Sequence, residues 1–155
     1  MEEKSEIDPL MRSLRYCFFV AMALCLTACN KGPKPIVYGK EECAFCKMTI
    51  MDKRFGCQVM NTKGKAWSFD DLVCLAGFQK SGIVPLAEVG GTYVADFLGD
   101  NALHKVEEMH FVSSEAFRSP MAGNVAAFYN ADSAKIYLGK FNGKDISWKE
   151  MQSHD

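Results

Sequence analysis

Tyr16 to Ala28 is an almost wholly apolar run that leads into Leu26-Thr27-Ala28-Cys29. Its 13 residues fall short of the roughly 20 that span a bilayer as a helix and match the core of a signal peptide. The short basic stretch Met11-Arg12-Ser13-Leu14-Arg15 precedes it. Small residues before a cysteine at the end of such a core resemble a bacterial lipobox, in which the cysteine takes lipid and becomes the first residue of the mature chain. The acidic residues ahead of Met11 are foreign to such signals, so translation is expected to start at Met11. The chain then divides into a signal over 1–28, a lipidated linker over 29–40 and a domain over 41–155. That domain is expected in the cell envelope, tethered to the outer or inner membrane and facing the periplasm. Several acyl chains give stable anchoring where one is marginal.

What remains after the signal is 127 residues, Cys29 to Asp155, enough for a single domain or two very small ones. The signal carries three basic and four acidic side chains, so 15 of each remain from the 18 and 19 of the whole chain. Zero net charge gives no argument for nucleic acid, and partners are expected to be recognised through local features. Residues 30–40, with Gly32, Pro33, Pro35 and Gly39, read as a spacer lifting the domain off the membrane.

Cys17, Cys25 and Cys29 belong to the signal and anchor, which leaves Cys43, Cys46, Cys57 and Cys74 to the domain. Two of these lie in Cys43-Ala44-Phe45-Cys46-Lys47-Met48. In an extended segment side chains repeat every second residue, about 6.6–6.8 Å apart. Cys46 and Met48 then point the same way, and a modest bend brings both to one ion. Thiolate plus thioether is a soft donor set that selects Cu(I) over harder divalent ions. The same cysteine pair also fits a disulfide or half of a structural zinc site, with Met48 in the core. All four domain cysteines fit two disulfides or an all-thiolate zinc site.

The rest of the chain alternates strand and helix patterns. Phe55 to Asn61 reads as a strand with Phe55, Cys57 and Val59 on one face, and Ala66 to Phe69 as its hairpin partner across the turn Asn61–Lys65. Asp70 reads as the N-cap of a helix through Leu72, Leu75, Ala76 and Phe78 that is apolar on more than one side and therefore buried. Cys74 shares a face with Asp70. Residues 83–91 read as an irregular connector, Thr92 to Leu98 as a strand, Met109 to Ser113 and Val125 to Phe128 as two more, with a loop over 114–123. Asn130 caps a second helix stopped at Gly139, and the tail ends in a short strand around Ile146 and Trp148. Strand, Phe69, acidic cap and helix are echoed by strand, Phe128, Asn130 and helix, which points to two related α+β halves.

The ordered set of Cys29, Cys43-x-x-Cys46-x-Met48, Phe69-Asp70-Asp71 with Cys74, Tyr93-x-x-Asp96, Ser119-Pro120-Met121 and Ala127-Phe128 resembles the NosL family, the accessory lipoproteins encoded with nitrous oxide reductase. The resemblance spans nearly all of the mature chain. It implies an α+β fold of two small ββαβ-like halves in one compact domain, similar in topology to organomercurial lyases. It also implies a chaperone, not an enzyme, that delivers Cu(I) for the copper–sulfide centre of nitrous oxide reductase, with that reductase and its maturation machinery as partners. Carried over residue by residue, the Cu(I) ligands are Cys46, Met48 and Met121, with Cys43 beside them, and Cys29 is the lipidated residue. Ala122 stands where the family pattern has glycine.

The remaining polar and sulfur residues read more plainly. Asp70 and Asp71 are expected to cap the helix, Cys57 and Cys74 to fill core, and Met51, Met60 and Met109 likewise. Asp96, in an apolar strand, needs a partner. His104, His110 and His154 are expected at the surface. Two other functions fit the cysteines: a thiol–disulfide protein using Cys43-x-x-Cys46, and a structural zinc module of Cys43, Cys46, Cys57 and Cys74. An organomercurial-lyase activity would rest on fold alone.

Overall fold

The structure, a computed structural model, describes residues 32–153. The expected signal, Cys29 and His154 lie outside the described residues. Strand β1 (Cys57–Asn61) pairs antiparallel with β2 (Ala66–Phe69), Cys57 opposite Phe69 and Met60 opposite Ala66. The turn between them is held by the Asn61 side chain, which accepts from the Lys63 and Lys65 N–H groups. Helix α1 (Leu72–Lys80) follows, with Leu72, Cys74, Leu75, Ala76 and Phe78 buried, as its all-round apolar pattern requires. Strand β3 (Val89–Ala95) returns antiparallel on the other side of β1, and β4 (Leu103–Lys105) extends the sheet to the order β2-β1-β3-β4.

The second half repeats the plan. Strands β5 (His110–Ser113) and β6 (Val125–Phe128) pair antiparallel, α2 (Ala131–Lys140) follows from an Asn130 cap, and β7 (Lys144–Ile146) pairs on the far side of β5. The order β6-β5-β7 matches β2-β1-β3: in each half the first strand is central, flanked by the second and by the strand after the helix. The fold is therefore α+β with two ββαβ halves. One continuous core joins them, containing Phe69, Leu75 and Val94 from the first and Phe111, Val125 and Ile146 from the second. A second cluster collects rings around Phe97, which meets Phe55, Phe117, Phe128 and Tyr137 at centroid separations of 5.1–5.8 Å.

Several elements differ from expectation. The third strand begins at Val89 and ends at Ala95, not at Leu98. Gly90 and Gly91 belong to it, Gly91 opposite Met60, and a Cβ on Gly90 would lie 3.0 Å from the Asn61 backbone, at the bulge between Met60 and Asn61. The tail strand stops at Ile146, and Trp148 opens α3 (Trp148–Ser153). Its start is a capping box: Ser147 Oγ accepts from the Glu150 N–H (3.2 Å), and the Glu150 carboxylate accepts from the Ser147 N–H (2.7 Å). Helix α3 is tied to α1 by a bond from Gln152 to Gln79 (2.9 Å). Lys34 and Ile36, at the end of the expected spacer, already pack on the domain. The Gln58 side chain exchanges bonds with the Lys34 backbone, and Ile36 enters the core. Met60 and Met109 are buried as expected, whereas Met51 is 68% exposed.

Candidate metal centre

The segment Cys43–Met48 is a tight reversal, not the extended stretch that its spacing invites. The Cys43 N–H donates to the Met48 carbonyl (2.8 Å) and the Lys47 N–H to the Cys43 carbonyl (3.0 Å), with Glu42 bridged to Thr49. Closing the reversal puts Lys47 at φ +67°, a conformation more usual for glycine. The Lys47 ammonium donates to the Ala44 carbonyl, and the Ala44 N–H donates to the Ser68 carbonyl, which pins the loop on the end of β2.

The turn buries Cys43 completely and leaves Cys46 half-buried at its lip, with Met48 exposed. Backbone N–H groups of Cys46, Asp70 and Phe45 favour the Cys43 thiolate, and that of Met48 favours the Cys46 thiolate. The Cys46 thiol donates to Asp70, 3.5 Å from Oδ1 and 3.6 Å from Oδ2. Cys74, from the first turn of α1, reaches both Cys43 and Asp70. One donor atom from each of Cys43, Cys46, Asp70 and Cys74 lies within 4.8 Å of the others. The hydrogen bond from Cys74, helped by the backbone N–H groups and opposed by burial, pulls the Cys43 thiol down to about 6. The same bond, with burial and the Asp70 charge, pushes Cys74 up, and burial raises Cys46.

Asp71, not Asp70, is the N-cap of α1: its Oδ1 accepts from the Val73 N–H (3.1 Å). Its Oδ2 accepts from the Ser119 hydroxyl (2.6 Å) and the Met121 N–H (2.9 Å). The loop carrying Met121 therefore hangs from the residue next to Asp70. It is braced internally, Ser119 and Asn124 exchanging two bonds and the Asn124 amide donating to Glu115. Ala122 adopts φ +57°, the physical reason a glycine suits that position. Gly123 leaves no room for a side chain, since a Cβ there would lie 2.3 Å from Val73 Cγ2 and 2.9 Å from Asp71 Oδ1.

Two loops of soft donors thus converge on Asp70-Asp71: the Cys43–Met48 turn on the first acid, the Met121 loop on the second. Met48 is 55% and Met121 37% exposed. Cys57 stays outside, buried, with its thiol donating to the Phe55 carbonyl and pushed up by burial. The four-cysteine set is accordingly not assembled, because Asp70 stands in the fourth place. All four described cysteines are free thiols. Cys74 and Asp70 were readable as sharing a helix face, but capping claimed Asp70 and core filling claimed Cys74. Asp96 finds its partners in the N–H groups of Leu98 and Tyr129, tying a loop to the end of β6. His104 stacks on Tyr129 at 4.1 Å and His110 is exposed, and neither belongs to the cluster of Cys43, Cys46, Asp70 and Cys74.

No curated protein matches the chain. Among solved structures it resembles the copper chaperone NosL from Shewanella denitrificans, with a TM-score of 0.64 and 18% sequence identity, over 78% of this chain and 96% of that one. At that identity the likeness establishes the fold. The sequence profile of the NosL family matches residues 36–155. A match that starts at Ile36, where the chain enters the core, and runs through both halves places this chain in the NosL family.

Proposed function

We propose that this protein is a Cu(I) chaperone of the cell envelope, anchored through a lipidated Cys29, that supplies copper for the copper–sulfide centre of nitrous oxide reductase. The observation that carries the reading is the convergence of the two sulfur-bearing loops on Asp70 and Asp71. The cargo is held at the surface by the Cys46 thiolate and the Met48 and Met121 thioethers, with Cys43 directly behind. The solved relative is described as a copper chaperone, and the soft donor set agrees with that cargo. Thioethers need no deprotonation, so such a set holds copper over a wide pH range and more loosely than a cage of thiolates. An exposed site lets an acceptor enter by ligand exchange.

The thiol–disulfide reading has one observation in its favour, the lowered Cys43 thiol. That thiol is fully buried, while the accessible Cys46 is raised. A nucleophile needs both thiolate character and access on the same sulfur, so the pair is arranged the wrong way round for exchange chemistry.

The test is an anaerobic Cu(I) titration of the reduced protein against a competing chelator, with Zn(II) in parallel. The expected result is a bound Cu(I) whose affinity falls about tenfold or more in Met48→Ala and in Met121→Ala, and no Cu(I) held in Cys46→Ser. Wild-type affinity for every bound equivalent in both methionine variants would remove the exposed assignment. Cells lacking the protein are expected to make nitrous oxide reductase without its copper–sulfide centre, and Cys29→Ser to release the protein from the membrane fraction.

A further inference from the structure

We propose that the surface formed by residues 33–38 and 101–103 rests against the lipid bilayer, its groove seated at the boundary between headgroups and acyl chains. The inference rests on the Cys29 anchor in the reading above and adds the face that this anchor holds to the membrane. The incoming chain is fixed from Lys34 onward. The Lys34 N–H donates to Gln58 Oε1 (2.7 Å) and its carbonyl accepts from Gln58 Nε2 (3.2 Å), while the same amide also donates to the Ser68 hydroxyl (3.1 Å). Gln58 is buried in the central strand β1, and Ile36 is buried in the core. These contacts take up most of the chain expected to act as a spacer. From Cys29 to Pro33 four residue steps remain, which reach at most about 14 Å. A domain of this size has a radius of gyration of about 14 Å, so the tether is far shorter than the domain is wide. The face where the chain enters therefore stays at the bilayer.

The chemistry of this face suits that position. A groove of about 300 Å³ is walled by Pro33, Pro35, Ile36, Tyr38, Ala102 and Leu103. Val37, in the same stretch, is 53% exposed. Tyr38 joins an apolar ring to a hydroxyl, the amphipathic form enriched at membrane interfaces. Its hydroxyl donates to the Lys53 carbonyl (3.5 Å), and the Lys53 ammonium stands 6.0 Å from the ring centroid. Lys34 and Lys53 are both exposed; lysines at such a rim lay their stems on apolar surface and reach lipid phosphates with their heads. The acids beside the groove are engaged. Glu41 accepts from the Val37 N–H (3.0 Å), Asp100 accepts from the Ala102 N–H (3.1 Å), and Asp52 is paired with Arg54. The backbone is prepared as well. Pro33 and Pro35 have no N–H, and those of Lys34 and Val37 are bonded, so four of the six residues 33–38 bring no free donor to the lipid. Leu86 is more exposed, at 79%, but belongs to the connector between α1 and β3 and not to the tethered stretch.

The experiment uses the full chain, purified with its lipid and reconstituted in vesicles of phosphatidylethanolamine and phosphatidylglycerol. Brominated acyl chains in these vesicles quench any tryptophan they touch. In a Trp67→Phe, Trp148→Phe background, Val37→Trp and Leu86→Trp each supply one reporter, checked for fold by circular dichroism and for membrane attachment by flotation. Both put the same membrane-seeking ring at an exposed apolar position, so a difference between them reports the face and not the residue. Val37→Trp is expected to lose about half of its fluorescence or more relative to vesicles without bromine, and Leu86→Trp to keep nearly all of its own. Equal quenching at both positions, quenching of Leu86→Trp alone, or none at either in chains that float overturns the docking face and leaves the anchor standing. Chains left behind when the vesicles float overturn both. The Cu(I) titration of the chaperone reading is independent of all these outcomes.

Discussion

Asp71 accepts three hydrogen bonds from two segments far apart in sequence and is wholly buried. Asp71→Ala strands the Ser119 hydroxyl and the Met121 N–H as well as uncapping α1. Bonds to a buried charge and the donors left without it make the expected loss about 2–4 kcal/mol, read as a lower urea midpoint at unchanged slope. Ser119→Ala, which deletes one donor together with its need, should cost less. Cys43 makes a separate claim on pH. Its thiol ionises at about 6 in the folded chain against 9.0 ordinarily, so between these values the unfolded state holds the extra proton. Stability of the metal-free protein is therefore expected to rise as pH is raised from about 6 towards 9 and to be lost as pH falls through 6. Urea melts across that window check this, and Cys43→Ser should flatten the rise. At this scale the sequence showed which residues carry sulfur and which carry charge. It did not show which of two adjacent acids caps the helix, because that depends on whether the first helical residue is 71 or 72.

Elements were more legible than contacts. Asn61 and Gly64 announced the first hairpin, Asn130 the second helix, and the buried run Val125–Phe128 matched its strand residue for residue. The missed elements are short ones. Strand β4 has three residues and exists because β3 offers an edge, and α3 was hidden by the two-residue spacing of Ile146 and Trp148 although Ser147 and Glu150 spelled its capping box. The left-handed backbone at Lys47 in one sulfur-bearing loop and at Arg118, Ala122 and Asn124 in the other could not be read from the sequence. Packing of the Met121 loop on α1 yields a paired prediction. Gly123→Ala drives a methyl into Val73 and should cost about 1–3 kcal/mol, and it should weaken the Met121-dependent Cu(I) equivalent by displacing that loop. Val73 is 41% exposed, so Val73→Ala alone should change little. Adding it to Gly123→Ala should recover part of the melting temperature and the copper affinity, since it removes the nearest clashing atom but leaves Asp71 Oδ1 at 2.9 Å.

For the molecule as a whole, the repeated sheet order raises the question of whether the halves melt independently. The core answers it: apolar side chains of both sheets lie in one cluster, so neither half can expose its own share without stripping the other. The chain has two tryptophans, Trp67 on β2 and Trp148 at the start of α3, one in each half. Fluorescence melts of Trp67→Phe and Trp148→Phe, each reporting on the half that keeps its tryptophan, are expected to coincide with one another and with circular dichroism once each variant's own stability is allowed for. Midpoints that separate between probes within one variant would mean two cooperative units. The attachment of both sulfur-bearing loops to neighbouring acids has a bearing on this. Cα atoms joined by one peptide bond are about 3.8 Å apart whatever the rest of the chain does. The anchor points of the cysteine side and the methionine side are thus spaced by a single covalent unit, like two jaws hung from one beam. An arriving partner can flex the sheets and still leave the spacing of those two anchors unchanged.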